Sequence, residues 1–191
     1  LYPGNWSTEI ADLGNLILGE NVEQTYGRII SMLSILFEKN IIPIIIGGSH
    51  DLLYANYRAY DSFKSTVNIV NIDSNFDIGD SAKPINNLSY LGKIILDEPH
   101  NLFNYSNLGY QTYHNSQEEI DLMENLYFES YRLGEVCSNI RLSEPVMRDA
   151  DIVSIDLKSV RASELSSRQK FSPNGFDGKE ICALSRYAGI S

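Results

Sequence analysis

VNIVNIDSNFD, residues 67–77, is the stretch that decides the fold. Val67 to Ile72 is a short run rich in β-branched residues, broken only by Asn68 and Asn71. A run of this length without strict polar alternation marks a strand buried on both faces, as in a parallel sheet. The run stops at Asp73, and Asp77 follows four positions later. Two further runs have the same character. Ile41 to Ile46 is broken by Gly47-Gly48 and leads into Ser49-His50-Asp51, and Ile152 to Leu157 carries Asp156 and leads into Lys158.

The segments between these runs change period. From Glu20 to Lys39 the apolar positions Val22, Tyr26, Ile29, Ile30, Leu33, Leu36 and Phe37 recur at helical spacing. Asn21 and Glu23 suit the first turn, and Asn40 ends the helix. Leu52 to Phe63 is expected as a second helix, with Tyr54, Tyr57 and Tyr60 packing under the sheet. Leu88 to Leu96 is expected as a helix and Leu102 to Tyr110 as a strand. Ser116 to Tyr131 is expected as one helix, opened by Ser116 with Glu118 and Glu119 behind it. That helix takes in ENLYFES, residues 124–130. A short helix is expected over Glu144 to Ala150, and a final one over Asp177 to Tyr187, with Cys182 packed on it. Leu1 to Asn15 is expected as a loop. Alternating strands and helices with continuous apolar strands imply an α/β fold. The expectation is a three-layer αβα sandwich around a mostly parallel sheet.

Composition narrows the function classes. The 191 residues carry 15 basic and 25 acidic side chains, a formal net charge of −10. A nucleic-acid or anionic-membrane partner would want a basic patch, so neither is expected. No apolar run is long enough to span a bilayer, and no signal peptide is visible. Cys137 and Cys182 stand 45 positions apart, which is neither a disulfide framework nor a metal knuckle. A reducing cytoplasm is the expected location, and the sequons such as Asn5-Trp6-Ser7 carry no weight there. Without repeats or linkers, residues 1–191 read as a single domain. The start at Leu1 and stop at Ser191 suggest a fragment, incomplete at one or both ends.

The chemistry sits at the strand ends. In open parallel sheets ligands bind outside the carboxyl ends of the strands. His50, Asp73, Asp77 and Asp156 all lie there. One imidazole and three carboxylates suit a harder divalent ion such as Mn²⁺ or Mg²⁺. Singly, each residue has a plain structural reading as a cap or turn residue. Together they do not, because caps require neither a His nor an Asp-x-x-x-Asp spacing. A nucleotide-binding domain is set aside, since Gly47-Gly48 belongs to neither GxGxxG nor GxxxxGK. His100 and His114 have no partner at ligand spacing.

Four segments in order resemble the ureohydrolases, the family of arginase, agmatinase and formimidoylglutamase. IIIGGSHD (44–51) resembles the family's Gly-Gly-x-His segment. NIDSNFD (71–77) resembles Asp-Ala-His-x-Asp, and SIDLKSVRASE (154–164) resembles Ser-x-Asp-x-Asp-x-x-Asp-Pro. Pro173 to Glu180 resembles the later segment that ends in a glutamate. The match covers nearly the whole chain, and Asp51 after His50 is nearer to formimidoylglutamase than to arginase.

The resemblance implies a hydrolase of guanidino or formimino C–N bonds in linear amidines, using two Mn²⁺ ions that activate a hydroxide. It implies that His50, Asp73, Asp77 and Asp156 bind one ion, and that Glu180 binds substrate. It also implies assembly as a trimer or hexamer. The second ion's set departs from the pattern. Asn75 stands where the family has His, Lys158 where it has Asp, and Tyr90 where it has a histidine proton shuttle. One Mn²⁺ is therefore expected rather than two. Lys158 has two open readings: a point charge in the lost ion's place, or a side chain that snorkels to water. Function likewise has two readings, a formimidoylglutamase-like hydrolase or an inactive relative kept as a binding or assembly module.

Overall fold

The computed structural model describes residues 9–63, 65–80, 82–165 and 172–190. Asn5-Trp6-Ser7 lies outside them, as does part of the loop expected over 1–15. Strand β1 is Val67–Ile72, as the apolar run implied. Its period of two sends Val67 and Ile69 to one face and Val70 and Ile72 to the other. Both faces are covered, so the run has no polar side to show.

The remaining strands are β2 (Leu102–Tyr110), β3 (Glu129–Arg132) and β4 (Ile152–Ile155). The order is β3-β2-β1-β4, with every pairing parallel. The chain lays β1, β2 and β3 in one direction and then returns to place β4 on the free side of β1. That reversal makes the β1/β4 boundary a topological switch point, where a crevice opens beyond the carboxyl ends.

Helices cover both faces. On one side α2 (Leu52–Arg58), α3 (Tyr90–Leu96) and α4 (Gln117–Asn125) pack Leu53, Tyr57, Tyr90, Leu91, Ile94 and Met123 onto Ile69, Tyr105 and Ile152. Helix α1 (Val22–Glu38) lies outside α2, burying Tyr26, Ile29 and Leu33 against Ala55 and Ala59. On the other side α5 (Leu133–Ser138), α6 (Ser143–Met147) and α7 (Gly178–Ala188) pack Leu133, Val136, Met147 and Leu184 onto Val70, Ile72 and Leu108. This is the three-layer αβα arrangement. No helix among the described residues is long and apolar enough to cross a membrane.

Local signals explain the helix starts. Asn21 caps α1 by accepting the Gln24 amide at 2.8 Å. Ser116 with Glu119, and Asp177 with Glu180, form reciprocal capping boxes on α4 and α7.

Three expectations are corrected. Ile41 to Ile46 is not a strand: it pairs with no described strand, and Ile42, Ile44 and Ile46 are almost fully exposed. A β-rich composition makes no strand without a ladder partner, and Pro43 lacks one of the amides a ladder would use. The helix from Ser116 ends at Asn125. Tyr127 takes positive φ, and Glu129–Arg132 joins the sheet through backbone pairing with β2. Cys182 is exposed rather than packed.

Candidate metal centre

Adjacent register builds the centre. Ile72 pairs with Ile155, so Asp73 and Asp156 emerge side by side at the switch point. The Asp156 amide donates to the Ile72 carbonyl at 3.0 Å. Each carboxylate commits one oxygen to its own loop. Asp73 Oδ1 accepts the Asn75 amide at 3.1 Å, and Asp156 Oδ1 accepts the Lys158 amide at 2.7 Å. Each carboxylate's other oxygen, Oδ2, faces His50 Nδ1 at 3.0 Å. The far ring nitrogen of His50, Nε2, meets Ser154 Oγ at 2.6 Å.

Asp77 enters from the β1 loop. It takes a left-handed backbone, φ +55°, and is buried. Asp is among the few residues that tolerate this region. Its carbonyl accepts the Leu91 amide at 3.2 Å, which ties the loop to α3. Buried Asn115 holds the same loop from the side. It accepts the Phe76 amide at 2.8 Å and donates to the carbonyls of Ser74 at 3.0 Å and Gln111 at 2.8 Å.

The His50 loop is held from the other side. The buried Asp51 carboxylate accepts short hydrogen bonds from the hydroxyls of Tyr26, on α1, and Ser49. Burial, and then the bond to Asp51, raise the Tyr26 phenol far above its usual pKa, so it stays a donor.

His50, Asp73, Asp77 and Asp156 each offer one ligand atom, and these atoms all lie within 4.8 Å of one another. An imidazole with three carboxylate oxygens at that spacing fits a hard divalent cation such as Mn²⁺. Burial works to lower the His50 pKa, but hydrogen bonds and charge from Asp156 and Asp73 outweigh it and raise it to about 9. Burial and the Asp73 charge push Asp77 up to about 8, with Lys158 pulling the other way. For Asp156 burial pushes upward, but the His50 contact wins and holds it below the usual range.

Lys158 is brought into the same group. Its Nζ lies 3.2 Å from Asp156 Oδ2, 3.4 Å from Asp77 Oδ2 and 3.9 Å from Asp73 Oδ2. Burial opposes its charge, but the three carboxylates outweigh that and raise its pKa. Asn75 is not brought in: its amide donates to the His114 carbonyl at 3.2 Å.

Tyr90 reaches the centre from behind. Its ring centroid is 5.0 Å from that of His50, its hydroxyl accepts from Asn71 Nδ2 at 3.0 Å, and it is fully buried. Burial lifts its pKa well above the ordinary phenol value. Tyr90, which the resemblance sets in place of the family's histidine, is thus a buried phenol packed behind the imidazole. Glu180 is occupied as the partner in the α7 capping box, its Oε2 accepting the Asp177 amide at 2.8 Å. Arg161 Nη2 lies 3.7 Å from the same oxygen.

Sequence reasoning missed Ser154, Tyr26 and Asn115 as supports of the centre. Each acts on a residue 25 or more positions away; Ser154 opens the SIDLKSVRASE segment, but nothing in that segment pairs it with His50.

The family model of the arginase family matches residues 4–187. The chain belongs to the arginase family. A formimidoylglutamase of Macrococcus caseolyticus is 30% identical over 132 residues, covering 66% of this chain and 40% of that protein. One from Lysinibacillus sphaericus is 24% identical over 145 residues, covering 74% of this chain and 44% of its own. Among solved structures, formiminoglutamase of Trypanosoma cruzi with Mn²⁺ superposes with a TM-score of 0.78 at 16% identity. That superposition covers 88% of this chain and 59% of that one. Formimidoylglutamase of Bacillus subtilis gives 0.74 at 17% identity, covering 89% and 57%. The chain thus spans less than half the length of these two curated relatives. The arginase-family fold agrees with the observed sandwich, and the four ligand candidates occupy its switch point.

Proposed function

We propose that this chain belongs to a formimidoylglutamase-like hydrolase of C–N bonds in linear amidines, working with a divalent ion held by His50, Asp73, Asp77 and Asp156. The observation that carries the reading is the convergence of those four side chains at the β1/β4 switch point. Family membership and the formimidoylglutamase relatives support the reaction class. A divalent ion in such a centre lowers the pKa of bound water, so that a nucleophile exists at neutral pH. Asp73 and Asp156 hold their loops with one oxygen and present the other. Ser154 fixes the imidazole, and Tyr90 seals the rear of the site from water.

One observation favours the second reading, a family relative without turnover: the Lys158 ammonium lies among the ligand carboxylates. A single domain, homo-oligomeric assembly and a cytoplasmic location belong to the same proposal. Family membership supports the assembly, and two free cysteines support the reducing compartment.

The test is a release assay on the full-length protein with Mn²⁺, offering N-formimidoyl-glutamate, arginine and agmatine. Mn²⁺-dependent release of glutamate from the first, abolished by His50→Ala and Asp156→Ala, is the expected result. Bound Mn²⁺ without turnover of any of the three would establish the second reading.

A further inference from the structure

We propose that the Lys158 ammonium is a built-in cation of the centre, drawing on the same carboxylate oxygens as the ion, so that the site takes a single divalent cation. The inference rests on the metal reading above and deepens it.

The local chain places the ammonium by construction. Asp156 caps a single 3-10 turn, Leu157–Ser159, by accepting the Lys158 amide. The Ser159 hydroxyl donates to the Asp156 carbonyl at 2.6 Å and tightens the same turn. This turn carries the side chain two positions after Asp156 back over the group. Nζ then touches the Oδ2 atoms of Asp73, Asp77 and Asp156, all within 4 Å. Two of these atoms also face His50 Nδ1. The ammonium therefore draws on the same carboxylate oxygens that would hold the ion.

Charge decides how many ions can join. With the imidazole neutral and the carboxylates ionised, as metal ligands must be, three carboxylates and one ammonium leave two negative charges, which one divalent cation neutralises. A second divalent ion would add two positive charges beside a fixed ammonium, with no further carboxylate to meet them. Asn75, whose amide is turned to the His114 carbonyl, offers no replacement ligand. A lysine that merely snorkels would extend its tip to water. This one is only 27% exposed and ends among carboxylates.

The experiment loads the full-length protein with Mn²⁺ alone, removes free metal, counts ions per chain by mass spectrometry and measures affinity by calorimetry. The wild type is expected to hold one ion. Lys158→Met, which removes the charge without adding a ligand, still holds one but binds it about tenfold or more tightly, because the adjacent repulsion is gone. Asn75→His/Lys158→Asp restores a second ligand set and holds two. Two ions in the wild type would overturn the Lys158 proposal and leave the metal reading standing. An unchanged affinity in a folded Lys158→Met would overturn it as well. No ion in the wild type but one in Lys158→Met would overturn the metal reading for the natural chain while upholding the place of the ammonium. No ion in any variant would sink both.

Discussion

Ser154 Oγ lies 2.6 Å from Nε2 of His50, across the ring from the nitrogen that faces Asp73 and Asp156. The serine hydroxyl can accept as well as donate, so it can support the tautomer a cation needs. When Nε2 carries the proton and donates it to Ser154, the Nδ1 lone pair is free for a cation. Ligating histidines commonly have such an outer partner. Ser154→Ala is expected to weaken Mn²⁺ binding by about ten- to a hundredfold, with little change in stability, because the position is half-buried on the edge strand β4. Ser154→Thr keeps the hydroxyl and should keep most of the affinity. Calorimetric titration of the two variants checks this, and equal affinities would refute the tautomer argument.

The bond from Tyr26 to Asp51 links α1 to the loop that carries His50. Both groups are buried, and Asp51 makes no capping bond to α2, so its carboxylate depends on Tyr26 and Ser49. Tyr26→Phe keeps the ring in the α1 core and removes one charge-assisted hydrogen bond. The expected loss of stability is about 1.5–3 kcal/mol. Urea unfolding followed by far-UV circular dichroism measures it, and a loss under about 0.5 kcal/mol would show that Asp51 finds another donor, as water would supply.

The parts of this fold legible in the chain are those whose signals are local. Val67–Ile72 is apolar and β-branched enough to be read as a strand directly, and Leu102–Tyr110, interrupted by Asn104, Ser106 and Asn107, was legible less clearly. The caps at Asn21, Ser116 and Asp177 are side chains acting within three residues. Glu129–Arg132 was not legible as a strand. It lies at the sheet edge, has no apolar run, and is held by a backbone ladder to β2 that composition does not encode. Ile41–Ile46 failed in the opposite sense, with strand composition but no partner among the described residues. At the centre, Asp73, Asp77 and Asp156 were legible because strand ends point the same way in a parallel sheet, whereas His50 was placed there on a strand that the described residues do not form. Glu180 was read as a substrate residue. The Asp-x-x-Glu pattern from Asp177 also marks a capping box, which engages one Glu180 carboxylate oxygen.

Asn115 supplies three hydrogen bonds to backbone groups around the Asp73–Asp77 loop. Asn115→Ala leaves the Phe76 amide and two carbonyls without these partners in a buried setting. The expected loss is on the order of 3 kcal/mol. Asn115→Asp keeps the acceptor for Phe76 but sets a carboxylate against the Ser74 and Gln111 carbonyls, and should be the worse variant. Paired unfolding curves decide the order. If Asn115→Asp were the milder change, the amide orientation assigned here would be reversed.

Helix α3 approaches the Asp77 loop at Gly92. A Cβ built there would stand 2.3 Å from the Ile78 carbonyl oxygen, inside any real contact distance. The obstacle is backbone, so it cannot rotate aside. Gly92→Ala must push α3 away from the loop, and overpacking of this kind costs about 1–3 kcal/mol. The displacement also pulls on the Leu91–Asp77 hydrogen bond, so Mn²⁺ affinity should fall with stability. Gly27, exposed on α1, is the matched control: a Cβ there meets nothing within 4 Å. Gly27→Ala should stabilise the chain by about 0.5–1 kcal/mol through helix propensity, without touching metal affinity. Denaturation and metal titration of both variants test the pair. Opposite signs in stability, with loss of affinity only in Gly92→Ala, are expected. A neutral Gly92→Ala would mean that α3 does not hold Asp77 in place.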